Sequence, residues 1–191
     1  MPHIDLGNDQ PGIRSLFYYR PETAQPMSEL AEILLRGPSA LERWERELIA
    51  THVSGLNECR FCTTTHAAFT AAQLPADLDL DVIRADLAAA PISDKLKALL
   101  DIAAAVQRDG RQVTPELVAA ARTAGATDLE IHDTVLIAAA FCMYNRYVDG
   151  LATTMPDDLG LLAERAKVLV AEGYLPTVAA ARAHQAQAAR A

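Results

Sequence analysis

No segment of the chain alternates apolar and polar residues with the two-residue period of a strand, and where the pattern is legible it is helical. Helix punctuation recurs along the sequence. Ser28 reads as the cap of a helix through Leu35, stopped by Gly37-Pro38. Ser39-Ala40-Leu41-Glu42 has the form of a capping box and predicts a helix to about Leu56. A break at Asn57-Glu58 separates it from a helix running from about Cys59 to Gln73, and weaker helices are expected at 78–89 and 94–108. Thr114-Pro115 predicts a capped helix to about Ala124, closed by Gly125. Thr127-Asp128-Leu129-Glu130 is a second capping box. It opens the most apolar stretch of the chain, a helix to about Val148 whose Val135–Tyr144 run reads as buried on all sides, in a core or between subunits. Pro156 and Gly173 bracket another helix, and the Ala-rich tail from 176 reads as a helix with little apolar stripe, solvent-facing or partly frayed. Residues 1–27 carry Pro2, Pro11, Pro21 and Pro26 and little periodicity, and are expected to form an extended arm.

The resulting expectation is an all-α helical bundle, one domain over residues 1–191. Its parts are the arm (1–27), a first half (39–75), a second half (94–150) and C-terminal helices (156–191). A shift of 88 residues lays Leu41-Glu42 on Leu129-Glu130, Leu48-Ile49-Ala50 on Leu136-Ile137-Ala138, and Asn57 on Asn145. The bundle is therefore read as two related helical-hairpin halves. The second carries Tyr147 and Gly150 where the first has Cys59 and Cys62.

Composition narrows the function classes. The formal charge of −8 offers no basic groove, which argues against nucleic acid as a partner. The apolar run is shorter than the roughly 20 residues a membrane-spanning helix needs, so no membrane partner is expected. The N-terminus lacks a basic segment followed by an apolar one. Three cysteines, an odd count, do not suit a secreted disulfide scaffold, and a cytoplasmic location is expected.

The chemistry gathers at Glu47, Cys59, Cys62 and His66. On one helix the last three stand at i, i+3 and i+7 and share a face. A cysteine in the first helical turn sits where free N–H groups favour a thiolate, and Arg60 adds positive charge. Two cysteines so spaced can make and break a short disulfide. Glu47 would lie roughly 18 Å from Cys59 on a continuous helix, but a chain reversal at Asn57-Glu58 makes an antiparallel hairpin that brings Glu47 to His66. A carboxylate–imidazole–thiol line follows, with Glu47 orienting His66 and His66 moving a proton to or from the cysteines. Two other readings of the same residues are a pair of inert buried thiols and a zinc site with Cys59, Cys62, His66 and Glu47 as ligands. The zinc reading lacks a second CxxC or a paired histidine, and no metal or bound cofactor is expected. Cys142, within the apolar run, reads as a core residue.

A glutamate, a CxxC twelve residues on, and a histidine four residues after the second cysteine resemble the alkylhydroperoxidase D family, within the carboxymuconolactone decarboxylase-like superfamily. Tyr19-Arg20-Pro21 and the Asn145–Gly150 segment resemble its peroxidase-related branch, and the resemblance spans roughly residues 13–155. It implies an alkylhydroperoxidase D-type helical fold, assembly as a trimer or hexamer, and thiol-dependent reduction of hydroperoxides. It also implies an external dithiol or lipoyl-type reductant as partner. By position it makes Cys62 the peroxidatic cysteine, Cys59 its disulfide partner, and Glu47 with His66 the proton relay. Phe61 stands where well-known members carry a second histidine. Two rival functions are a lyase of the carboxymuconolactone decarboxylase type, whose chemistry does not require the cysteines, and a non-catalytic redox sensor.

Overall fold

Apolar residues spaced three and four apart fold into helices that must bury one face against another. The computed structural model describes residues 1–156, 158–188 and 190, so the expected 156–191 stretch lies in part outside the described residues. Among the described residues there is no strand. The α-helices are α1 (Ile13–Tyr19), α2 (Pro21–Arg36), α3 (Arg43–Leu56), α4 (Arg60–Ala71), α5 (Leu80–Ala85) and α6 (Asp94–Arg108). After a short 3₁₀ turn at Gly110–Gln112 come α7 (Pro115–Thr123), α8 (Asp128–Gly150), α9 (Gly160–Glu172) and α10 (Pro176–Ala188). The core is built where α3 packs on α4, α6 and α8. Leu48, Ile49, Leu99, Ile102 and Ile137 are fully buried within it. None of the described helices is long and apolar enough to cross a membrane.

The second half forms as its punctuation predicts. Thr127 Oγ1 accepts from the Glu130 N–H at 3.2 Å, and the Glu130 carboxylate accepts from the Thr127 N–H at 2.7 Å. Gly125 closes α7 with φ of 95°, a left-handed value that glycine adopts without strain. The two halves also meet at equivalent atoms. Asn57 Nδ2 donates to Asn145 Oδ1 at 2.8 Å, across the 88-residue shift. Asn145 Nδ2 donates to Ser54 Oγ at 3.1 Å, and Asn57 Nδ2 reaches Cys142 Sγ at 3.6 Å. The same shift carries Ser54 onto Cys142. Each asparagine thus reaches the other half's counterpart of one position, the reciprocity expected across a local two-fold axis.

Four expectations need correction. The arm is not extended through residue 27: helix begins at Ile13, and α2 begins at Pro21. Proline at the first helical position gives up no hydrogen bond, because that N–H has no partner there anyway; Pro26 lies within the helix. Ser28 is consequently a buried residue inside α2 rather than a cap. The first capping box lies three residues later than predicted. Leu41 is 1% exposed in a non-helical segment. The reciprocal bonds are made by Glu42 and Glu45 instead, with the Glu42 N–H donating to Glu45 Oε2 at 2.8 Å. Finally, α10 packs on α1 and α2 and buries Val178 and Ala181. Alanine needs no bulky stripe to be buried, because its small side chain lets helix backbones come close.

Candidate active site

The reversal between α3 and α4 is made by Asn57, which caps α3, and by Glu58, whose φ of 58° is left-handed. Cys59 follows as the N-cap of α4. Its N–H donates to the Ser54 carbonyl at 3.1 Å and its carbonyl accepts from the Thr63 N–H at 2.9 Å. Helix α4 therefore runs back along α3, and Glu47 meets His66: Nδ1 and Oε2 are 2.7 Å apart. Glu47 is 1% exposed and the His66 side chain 12%.

The other Glu47 oxygen is held by a residue that sequence reasoning missed. Tyr174 donates its hydroxyl to Glu47 Oε1 at 2.5 Å. Its ring lies nearly parallel to the His66 imidazole, with centroids 6.4 Å apart and planes at 16°. Phe141 and Phe69 pack against the same imidazole in T-shaped pairs, with ring centroids 4.6 and 5.2 Å away. Tyr174 is held in turn by α2. Its N–H donates to Glu32 Oε2 at 2.8 Å, and Arg36 Nη1 donates to the Leu169 and Val170 carbonyls at the end of α9. Gly173 turns the chain with φ of 85°, and a Cβ there would run into the Glu32 carboxylate. Burial first, then the Glu47 charge, pushes the Tyr174 phenol well above its ordinary range. It stays a donor. An ionised carboxylate can only accept, so Nδ1 is the nitrogen that donates to Glu47, and Nε2 lies outside that bond.

The two cysteines are both unbonded and buried, but they are not equivalent. Cys62 and His66 line one pocket; Cys59, 0% exposed, lies behind its wall. That pocket has a cavity volume of about 70 Å³, several times the roughly 10–15 Å³ that a single water requires. The Cys62 thiol is pushed far up, first by its hydrogen bond with Cys59 and then by burial. The Asn145 amide pulls the other way, favouring the thiolate. Asn145, 1% exposed within α8, is thus a neighbour of the thiol. Two sequence signals singled it out: the 88-residue repeat and the resemblance carried by the Asn145–Gly150 segment. Phe61 also lines the pocket. Its ring fills the space that a Cβ at Gly12 would need, so the glycine gives the ring its place.

Among the described residues no group of three His, Cys, Asp or Glu side chains is placed to hold a metal ion. Cys142 is half-buried on α8, beside Asn57, away from the pocket wall.

Comparison with known proteins agrees with the fold. Residues 21–74, which span α2 to the end of α4, match the carboxymuconolactone decarboxylase family. Among curated proteins none matches the chain significantly. The fold is similar to the crystal structure of an uncharacterized peroxidase-related protein from Silicibacter sp. TM1040, at 28% identity and a TM-score of 0.68, covering 77% of this chain and 76% of that one. It is also similar to a structure from Ralstonia eutropha JMP134 described as an alkylhydroperoxidase AhpD core, an uncharacterized peroxidase-related protein. That likeness has 25% identity and a TM-score of 0.71, and covers 80% of each chain. The family match falls on the helices that carry Glu47, Cys59, Cys62 and His66, and the fold is shared over most of the chain with these two peroxidase-related structures; both findings support the alkylhydroperoxidase D-like, carboxymuconolactone decarboxylase-like superfamily.

Proposed function

We propose that the protein is a thiol-dependent peroxidase that reduces hydroperoxides through Cys62 and Cys59. The observation that carries this reading is the placing of Cys62 on the wall of an apolar pocket beside a histidine whose far nitrogen is free to accept a proton. The thiol's raised pKa makes such a base necessary at neutral pH. His66 lies one turn along α4, so the two side chains are neighbours on one helix face. His66 Nε2 takes the Cys62 proton, and the thiolate attacks the terminal peroxide oxygen. The O–O bond breaks and the proton returns to the leaving alkoxide. The products are an alcohol and a Cys62 sulfenic acid. The Cys59 thiol then displaces water from the sulfenic acid, giving a disulfide across one helical turn. An external dithiol, of the lipoyl type or similar, reduces the disulfide by exchange and leaves as a disulfide itself. The cycle uses no bound cofactor.

The test is steady-state hydroperoxide consumption with a panel of dithiol donors. Many turnovers per chain with at least one dithiol are expected. Consumption of one equivalent and no more would make the protein a redox sensor. No oxidation of Cys62 at all would leave the lyase reading, which the carboxymuconolactone decarboxylase match keeps in view.

The protein is also proposed to assemble as a homo-oligomer, a trimer or a hexamer. The run from Val135 to Tyr144 is not buried on all sides. Leu129 and Met143 are 61% and 47% exposed, and Leu136 and Ala139 lie between them at helical spacing on the same face of α8. A second copy of the chain would cover this stripe. Sedimentation at micromolar concentration is expected to give three or six chains, and Met143→Lys to dissociate them.

A further inference from the structure

The wall of the Cys62 pocket carries two guanidinium groups that the proposed reaction does not use. Arg14 reaches it from α1 and Arg165 from α9, in a chain whose formal charge is −8. Among the described residues neither is paired with a carboxylate. Among the described residues Arg14 Nε is buried with no hydrogen-bond partner, and Arg165 has only the neutral Thr177 hydroxyl, at 2.9 Å. Burial and then the field of Arg14 pull the Arg165 pKa down to about 10, as expected of two cations facing one space without a counter-ion. A third polar group points the same way. Thr65, 6% exposed and on the pocket wall, has an Oγ1 with no partner. The remaining wall is mainly apolar, with Ile13, Phe17, Met27, Phe69 and Phe141. Both arginines are half-buried; cations withdrawn from water without a counter-ion are costly, and an anion entering between them would satisfy both. Guanidinium forks suit a carboxylate, which can accept two parallel N–H bonds.

We infer that the pocket selects an amphiphilic organic hydroperoxide, with a carboxylate held by Arg14 and Arg165 and an apolar body against the aromatic wall. This assignment rests on the thiol peroxidase reading of the same site and narrows its substrate class. Hydrogen peroxide and small neutral alkyl hydroperoxides lack the anionic handle. They are expected to react, but without the positioning that two arginines provide.

The experiment compares kcat/KM for a fatty-acid hydroperoxide and for its methyl ester, which keeps the peroxide and the chain but removes the charge. The wild-type protein is expected to prefer the acid by on the order of tenfold or more, the size of a charge-assisted hydrogen bond. In Arg14→Gln and in Arg165→Gln that ratio is expected to fall toward one. Equal rates for acid and ester in the wild type would overturn the inference, and this comparison needs no variant to fold. So would a ratio that survives both substitutions. If neither hydroperoxide oxidises Cys62, the peroxidase reading fails, and the pocket is then tested by binding alone. Calorimetry with the Cys62→Ser chain is expected to show dodecanoate binding that both arginine substitutions weaken at least tenfold, with dodecanol binding more weakly. Dodecanol binding as tightly as dodecanoate would overturn the carboxylate assignment independently of the chemistry.

Discussion

Replacing Cys62 by serine is expected to abolish peroxide consumption, by at least about 10³-fold, as removal of a nucleophile does elsewhere. Cys59→Ser should behave differently. Its Cys62 still faces the pocket, so one peroxide per chain is consumed and the cycle stops at the sulfenic acid, which dimedone traps on the Cys62 peptide. The asymmetry follows from burial, since Cys59 has no exposed surface and does not line the pocket. The pH dependence carries a sign as well. A raised thiol pKa means that Cys62 is protonated through neutral pH and that its thiolate grows only as the pH climbs. The hydrogen bond with Cys59 is the largest cause of that rise. Cys59→Ala is therefore expected to move the pH profile of Cys62 alkylation by iodoacetamide to lower pH. An unmoved profile would mean that burial alone holds the proton. Oxidation centred on Cys59, with Cys62 intact, would reverse the assigned roles.

Local signals made the first-half site legible and left its roof unread. CxxC and His66 lie on one helix, and Glu47 is reached by a single reversal whose place the sequence marks at Asn57-Glu58. Tyr174 lies 127 positions from Glu47, in a segment with no sequence feature to tie it to the site. What brings it there is tertiary: the Glu32 and Arg36 side chains of α2 hold the end of α9 and the turn after it. Arg14 and Arg165 were hidden for the same reason, because a lone arginine on a helix reads as solvated until its neighbours are known. The N-terminal misreading has a physical source. Proline clusters suggest extended chain, yet Pro21 occupies the one helical position where proline gives nothing up. Residues taken for an arm thus supply α1 and the start of α2, and with them Arg14, Phe17 and Met27 of the pocket.

His66 and Glu47 are expected to act as one unit, with Tyr174 as its positioning residue. His66→Ala should slow Cys62 oxidation by about 10²–10⁴-fold, the usual contribution of a general base. Glu47→Gln replaces an acceptor-only carboxylate by a neutral amide that can donate as well as accept, so Nδ1–H is no longer enforced and the imidazole is free to take the wrong tautomer; its loss should approach the same size. The double variant should be little worse than the poorer single, because once either partner is gone the other has nothing left to do. Tyr174→Phe keeps the ring that stacks on His66 and removes only the hydroxyl donated to Glu47 Oε1. A loss of about tenfold is expected there, the scale of one hydrogen bond to a charged group. A merely structural role would predict a different pattern. His66→Ala leaves the buried Glu47 without one of its two donors and should cost roughly 1.5–3 kcal/mol of stability, the scale of a hydrogen bond to a charged group, so rates must be compared well below each variant's melting temperature. The pH profile then separates the two causes. Damage to folding slows the reaction at every pH. Loss of a proton acceptor slows it most near neutrality and least in alkali, where Cys62 ionises unaided. A deficit that stays constant as the pH rises, or single losses that simply multiply in the double variant, would show that the Glu47–His66 pair holds α3 to α4 and moves no proton.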